Sequence, residues 1–359
     1  MVDSKQAPLD SAAAAKAAFA SVQDKPFPDD IFTAPELRWA VIGCVVIANQ
    51  MAQSLALAGR KLAGVANRTL SKAQAFAEQY GIEKVYESVE DLYADPGIDA
   101  VYITTPHNTH ITYLRDALAA GKHVLCEKAI TLNSAELDEA RAIADEHNVV
   151  LMDATTVLHM PLYQELRRRM DAGEFGRMNL AQLNFGSYKE YGDLTNRFYN
   201  RNLAGGAMLD IGVYALSVMR LFMASQPIEV VSLGNTCETG VDVAGGIVCR
   251  NAEQQLGVVS LTLHSKQPKR SIISFDKCYI EVNEYPRADH ATIVWTADGH
   301  REEVHAGTEA YALCYEMADL EKAVAGDDSK RELLGYASDV MELMTKLRAD
   351  WGVVYPEEE

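Results

Sequence analysis

From residue 37 onward, short apolar runs alternate with longer stretches in which apolar residues recur every three or four positions. The short runs, over 37–43, 61–66, 100–104, 123–127 and 149–153, read as buried strands. The longer ones, over 48–58, 71–80, 89–94, 109–119 and 134–146, read as helices. Strands separated by helices of this length need crossover connections, so the pattern predicts a parallel, doubly wound α/β sheet with helices on both faces. Ligands of such sheets bind outside the carboxyl ends of the strands. Residues just after Gly43, Ala66, Thr104 and Cys126 are therefore expected along one crevice.

After about residue 154 the rhythm changes. Helices over 162–172 and 206–223 flank a strand over 179–186. Strands then follow with few helices between them, over 229–235, 243–250, 255–264, 270–275, 278–283 and 291–296, before closing helices over 308–325 and 329–347. Within 255–264, Val259, Leu261 and Leu263 alternate with Ser260, Thr262 and His264, the period of a half-covered strand. This reads as a C-terminal α+β domain on an open, mainly antiparallel sheet, helices on one face and the other free for solvent or a partner subunit. The expected organisation is an N-terminal arm over 1–35 with one short helix near 11–22, a doubly wound domain over 36–154, and a second domain over 155–359.

Charge narrows the partners. Among 359 residues, 51 acidic side chains face 33 basic ones, a formal net charge of −18. Such an exterior repels a nucleic-acid backbone and an anionic membrane, and neither is expected as a partner. The basic run Arg167, Arg168 and Arg169 falls late in a helical pattern and reads as solvated helix charge. Cys44, Cys126, Cys237, Cys249, Cys278 and Cys314 form no CxxC and sit among apolar neighbours, as in a reducing, cytoplasmic setting. The alanine-rich start is interrupted by Lys5, Asp10, Lys16 and Asp24, which excludes a secretory signal, and no later stretch is expected to span a bilayer.

Candidate chemistry lies at the strand ends. Gly43, Cys44, Val45, Val46, Ile47 and Ala48 join the first strand to its helix, as a dinucleotide-binding turn would. Gly43 and Ala48 suit the tight turn and the close helix packing, whereas Val45 occupies the place of the second glycine. A branched side chain there is expected to cost roughly 1–3 kcal/mol of cofactor binding if the backbone does not relax. By itself the segment serves equally as a strand-to-helix turn without a phosphate. After the second strand come Asn67 and Arg68, with Lys72 beyond, where an NAD site carries an acid. A guanidinium stacks on adenine and pairs with a 2′-phosphate, so NADP(H) is preferred over NAD(H). Thr104, Thr105, Pro106, His107, Asn108 and His110 follow the next tip, and Glu127, Lys128 and Ala129 the one after. With no HExxH and no third ligand beside the two histidines, no metal site is expected. Gly205 and Gly206 precede Asp210 and Tyr214, which at i and i+4 share one helix face.

Taken together, these segments resemble the Gfo/Idh/MocA family, the glucose–fructose oxidoreductase-like enzymes, over most of residues 37–214. The tyrosine at 214 is similar to the branch holding xylose and dihydrodiol dehydrogenases. The resemblance implies a Rossmann domain, hydride transfer between nicotinamide and a carbinol carbon of a sugar-like substrate, and a homo-oligomer, dimer or tetramer, through the open sheet face. Lys128 then binds the reacting oxygen and the nicotinamide, and Glu127 the nicotinamide ribose side. Gly43, Cys44, Val45, Val46, Ile47, Asn67, Arg68, Lys72, Thr104, Thr105, Pro106, Asn108 and His110 are the other cofactor contacts. Tyr214 is the acid/base, its pKa expected to be lowered by Lys128, by roughly 1–3 units from ~10. Asp210 orients the lysine or a substrate hydroxyl, and Arg197 touches substrate. Ala129 stands where the family carries a proline. Two other outcomes stay open: a redox-neutral glycoside-cleaving enzyme with a retained cofactor, and a non-catalytic nucleotide or sugar sensor.

Overall fold

A computed structural model describes residues 11–23 and 25–359. Lys5, Asp10 and Asp24, cited above against a signal segment, lie outside the described residues. Helix α1 (Ser11–Val22) occupies the span expected of the arm. The chain after it is held by Phe27, whose ring lies 5.0 Å from that of Tyr311 and 5.9 Å from that of Phe32.

The first sheet contains β1 (Trp39–Ile42), β2 (Gly64–Ala66), β3 (Lys84–Tyr86), β4 (Ala100–Ile103), β5 (His123–Cys126) and β6 (Leu151–Asp153). They lie in the order β3-β2-β1-β4-β5-β6, every pair parallel. Between them run α2 (Val46–Leu57), α3 (Leu70–Tyr80), α4 (Val89–Ala94), α5 (His110–Ala119) and α6 (Ser134–Glu146). Every residue of β1, β2, β4 and β6 is buried, because helices cover both faces and leave no side for a polar alternation. The order reverses between β1 and β4, which opens the crevice there. Strand β3 was not legible as a strand: its three residues are exposed or half-buried and present no apolar run.

The second sheet has eight strands: β7 (Met178–Gly186), β8 (Glu229–Thr236), β9 (Asp242–Arg250), β10 (Leu256–Thr262), β11 (Gln267–Phe275), β12 (Cys278–Asn283), β13 (His290–Trp295) and β14 (Arg301–His305). Their order is β14-β13-β12-β11-β7-β10-β9-β8, antiparallel except for the β7–β10 pair. Edge strand β14 buries only Val304 among its charged neighbours, which is why its pattern gave no strand signal. Helices α7 (Pro161–Asp171), α8 (Val213–Phe222), α9 (Ala312–Val324), α10 (Asp328–Arg331) and α11 (Leu333–Asp350) complete the chain. Alternation leaves Val231 and Leu233 of β8 76% and 83% exposed on the uncovered face, with Val248 and Leu256 beside them.

Two expectations change. Helix α9 packs Leu313, Met317, Leu320 and Ala323 into one core with Trp39, Val41, Tyr102 and Leu125, so the tail of the chain returns to cover the first sheet. A cut at 154 therefore separates chain segments, not packed layers. The helical run Arg201–Phe222 is long and apolar enough to cross a membrane, contrary to expectation, but 83% of its apolar window is buried inside the protein. It is a core helix, apolar all round because sheet and α11 enclose it.

Candidate active site

The crevice begins where β1 ends. The chain turns through Gly43 at φ +101°, and a Cβ there would lie 2.7 Å from the Thr104 hydroxyl, so position 43 has no room for a side chain. Thr104 donates to the Ile42 carbonyl at 3.0 Å and ties the two strand tips together. The first turn of α2 has no side-chain cap, since Val45 at its start cannot accept a hydrogen bond. Uncapped amides at the positive end of a twelve-residue helix suit a phosphate. Val45 sits at φ −86°, a value open to any residue, with its side chain 45% exposed, and Val46 is 63% exposed. Ile47 packs against the sheet. Cys44 is half-buried, and burial pushes its thiol up to about 11. At the tip of β2 the Asn67 amide closes the turn by donating to the Thr69 carbonyl at 3.0 Å. Arg68 and Lys72 are exposed and hold no ion pair among the described residues, and Lys72 is near enough to act on the Cys44 thiol.

The β4 tip carries Thr105 and Pro106 into the single turn His107–Thr109. His110, expected against the cofactor, is fully buried instead: Nε2 lies 2.8 Å from the Thr105 carbonyl and Nδ1 3.0 Å from that of Ala129. The Asn108 amide donates to Glu357 at 2.7 Å and to the Asn202 carbonyl at 3.2 Å. His107 reaches the Lys128 carbonyl at 3.1 Å and that of Ala204 at 3.3 Å, and burial pushes its pKa down to about 3. These side chains brace the loop that presents Lys128. No cluster of three metal-ligating side chains occurs among the described residues.

Three candidate catalytic groups converge. The Lys128–Ala129 peptide bond is cis. Lys128 Nζ donates to the Asp210 carbonyl at 2.7 Å, lies 3.4 Å from Asp210 Oδ1, and sits 4.8 Å from the Tyr214 ring centroid. Arg197 approaches the same Oδ1 at 3.4 Å. Asp210 does not sit on an ordinary α-helix: Met208–Gly212 form a π turn that leads into α8, which opens with Val213 and Tyr214. The turn is fixed by Asp242, whose Oδ2 accepts the Met208 N–H at 2.6 Å. Gly206, at φ +126°, is required because a Cβ would collide with the Asp242 carboxylate.

Burial and charge oppose each other at every member. Burial pushes the Asp210 pKa up, but Lys128, Arg197 and Lys189 outweigh it and hold the carboxyl well below the usual range. Burial lowers that of Lys128, and Tyr214 and Asp210 raise it by more. At Tyr214 burial wins over Lys128, so the phenol is raised, not depressed as the sequence led us to expect. The Tyr214 hydroxyl makes no hydrogen bond among the described residues.

Behind the loop lies an acid cluster that no local pattern announced, because its members come from four separate segments. Tyr102 donates to Glu127 Oε1. Burial raises Glu127, lifts Asp153 to about 7, and, reinforced by Glu127, lifts Glu316 of α9 to about 8. His159 stays charged-prone despite burial because Asp319 lies 3.1 Å from its Nδ1, with Lys330 3.0 Å from the other Asp319 oxygen.

Comparison with known proteins adds the following. Residues 37–155 match a family model described as an oxidoreductase family with an NAD-binding Rossmann fold, and residues 163–281 match the GFO/IDH/MocA C-terminal domain. The trans-1,2-dihydrobenzene-1,2-diol dehydrogenase of Mus musculus is 32% identical over 254 residues, 69% of this chain and 75% of that enzyme. The 3-ketoreductase KijD10 from Actinomadura kijaniata, solved with NADP and TDP-benzene, superposes with a TM-score of 0.75 at 24% identity, covering 88% of this chain and 98% of that one. A levoglucosan dehydrogenase, solved with NADH and levoglucosan, gives 0.76 at 18% identity, covering 88% and 97%. At these identities the two structures establish a shared fold.

The acid cluster sets a pH dependence. A carboxyl whose folded pKa is raised from 4.5 to about 8 contributes stability present below the lower value and lost as pH climbs through the higher one. Glu316→Gln keeps the shape without the titration. It is expected to lose less stability than the parent between pH 5 and pH 9, by roughly 2–4 kcal/mol. Urea unfolding at both pH values measures this, and equal losses in the two proteins would refute it.

Proposed function

The chain belongs to the GFO/IDH/MocA oxidoreductase family, and on that premise we propose that it moves a hydride between NADP(H) and a carbinol carbon of a sugar or sugar-like substrate. One observation carries the reading: Lys128, Asp210 and Tyr214 meet at the crevice with the tyrosine hydroxyl uncommitted.

The residues present fit a dinucleotide. The uncapped α2 amides after Gly43 would take the pyrophosphate, and Arg68 with Lys72 the 2′-phosphate. Thr104, Thr105 and Pro106 would border the nicotinamide half, with Glu127 on its ribose side. When bound, a nicotinamide supplies the hydride chemistry at its ring carbon.

The proton and the positioning fall to the chain. Tyr214 holds its proton at neutral pH, since its pKa is raised by burial, and so stands ready to give it to a carbonyl oxygen as that oxygen gains charge. Lys128 lies beside the ring, stabilises the phenolate left behind, and gathers the same oxygen through its ammonium. Asp210 fixes Lys128 through its carbonyl and carboxylate. In the oxidative direction the acceptor is Tyr214 as its phenolate, the form that Lys128 favours against the effect of burial, so this direction gains as pH rises. The six free thiols support a reducing, cytoplasmic setting. Two copies would pair through the uncovered face of the second sheet, whose exposed Val231 and Leu233 form an apolar stripe with Val248 and Leu256.

Three outcomes follow from this reading. Lys128→Met and Tyr214→Phe are each expected to lower turnover followed at 340 nm by at least ~10²-fold, while NADPH binding by calorimetry changes less than ~3-fold. Parent-like rates in both would remove the assignment. Arg68→Ala is expected to weaken NADPH at least ~10-fold and leave NADH within ~3-fold, in parallel titrations; equal losses would mean that Arg68 does not read the 2′-phosphate. Replacing Val231 and Leu233 together by lysine is expected to yield monomers in analytical ultracentrifugation with an unchanged circular dichroism spectrum. A parent protein that is monomeric at micromolar concentration would dispose of the sheet-face dimer.

A further inference from the structure

Lys128 lies beyond the tip of β5 and Asp210 in the π turn before α8, so the contact between them depends on two loops keeping one register. A third segment, Val353 to Glu359, is bonded to both loops. On the Asp210 side, the buried Tyr355 hydroxyl donates to the Gly205 carbonyl at 2.7 Å, in the glycine pair that leads to the π turn. Arg201, just before that pair, donates from Nε to the Val354 carbonyl at 2.7 Å. On the Lys128 side, Glu358 Oε1 accepts from the Asn133 amide at 3.0 Å, and Glu357 Oε1 accepts from the Asn108 amide at 2.7 Å. Asn133 lies shortly after Ala129, and Asn108 follows His107, whose ring is 3.1 Å from the Lys128 carbonyl.

One buried ion pair gathers these ties. Arg348 of α11 is 2% exposed, and its guanidinium donates to the two Glu358 oxygens at 2.7 and 2.9 Å and to the Leu132 carbonyl at 2.6 Å. Its central carbon lies 4.7 Å from the Tyr355 ring centroid. Glu358 Oε2 also accepts the Tyr355 N–H at 3.0 Å, which closes the turn Pro356–Glu358. A bidentate pair fixes the planes of both groups, and neither charge is tolerable in such a place without the other. Securing α11 would need only that pair. The bonds to Leu132, Asn133, Asn108 and Gly205 instead fall on the two loops that carry Lys128 and Asp210.

We propose that Tyr355, Glu358 and Arg348 are positioning residues: they set the Lys128 loop in register with the π turn, so that the ammonium reaches the Asp210 carbonyl and stands beside the Tyr214 ring. The proposal rests on the redox reading for what that register serves, and adds the residues that impose it. Their effect passes through the backbone. Tyr355 acts through the Gly205 carbonyl, Arg348 through the Leu132 carbonyl, and Glu358 by holding Arg348 and Asn133 together. A misplacement of about 1 Å at a reacting group can cost on the order of 10²-fold in rate, so ties of this kind govern turnover without entering the chemistry.

The test reads position and needs no substrate. Backbone hydrogen exchange and pulse labelling of lysines with acetic anhydride, both followed by mass spectrometry, are applied to the full chain with and without NADP. Tyr355→Phe removes the hydroxyl and keeps the ring, and Glu358→Gln keeps the shape and removes the charge. In each variant that folds, residues 206–212 are expected to exchange at least ~5-fold faster than in the parent, and Lys128 to acetylate at least ~3-fold faster. In Glu358→Gln, exchange over 130–134 rises as well. Ile293→Ala, at a fully buried position of β13, supplies a control of lowered thermal stability. There, exchange over 206–212 and labelling of Lys128 are expected to stay within ~2-fold of the parent. Unchanged exchange and labelling in the variants, changes no larger than in Ile293→Ala, or loss of the folded state in both variants overturns the proposal. Undiminished turnover in the Lys128→Met and Tyr214→Phe variants would instead sink the redox reading and leave the register itself standing.

Discussion

Everything at this site depends on one buried cation reaching from the first sheet into the second domain. Lys128 leaves the tip of β5, and 82 residues later in the chain Asp210 meets its ammonium with a backbone carbonyl at 2.7 Å and a carboxylate oxygen at 3.4 Å. Side-chain exposures of 15% and 11% mean that both charges are largely withdrawn from water, so neither is tolerable without the other. The contact fixes where the two domains meet and, by doing so, where Tyr214 stands. His107 adds to the same junction: its ring lies between a carbonyl from each side and, being neutral, donates to one of them. Asn108 adds a third tie, to the end of the chain at Glu357.

Desolvation and charge are balanced differently at each group, and the balance assigns the roles. Asp210 has cations enough to stay ionised in spite of burial, and Lys128 has anionic neighbours enough to stay protonated. Tyr214 has two favourable cations, Lys128 and Arg287, opposed by Glu127 and Asp210, and burial prevails. A cation, its counter-ion and a neutral phenol are a suitable resting set for proton donation to an oxygen. The acids behind the loop follow the same logic with the opposite result. Glu316 lies near Glu127 with too little positive charge to compensate, and burial keeps it protonated up to about 8.

The turn after β1 shows how a departure from a motif can be harmless to the backbone. A valine replaces a glycine at 45, yet its dihedral angles are ordinary and its side chain is nearly half exposed. Gly43 is the position in that turn where only glycine serves, because both its positive φ and the Thr104 hydroxyl forbid a side chain. At the second glycine-rich segment the constraint comes from elsewhere in the chain: Asp242 on β9 closes over Gly206 and caps the π turn. A glycine read in isolation does not say which of these reasons applies.

Apolar periodicity by itself determined the two-sheet architecture, since buried parallel strands and half-covered antiparallel ones leave different marks along the chain. It also located the strand ends, and with them Gly43, Arg68 and Lys128, whereas Asp210 and Tyr214 came from the glycine-led helix motif and the roles of Lys128, Asp210 and Tyr214 from the family resemblance. The three-residue strand β3 and the charged edge strand β14 escaped, because a strand that buries one residue or none leaves no pattern. Only the tertiary structure decided that both ring nitrogens of His110 and the Asn108 amide are taken up by neighbouring segments, and that α9 returns to the first sheet with Glu316. It alone reversed the expected direction of the Tyr214 shift. The physical reason is common to all three. Burial and electrostatic field are sums over groups far apart in the chain, and a local pattern of residue types carries neither.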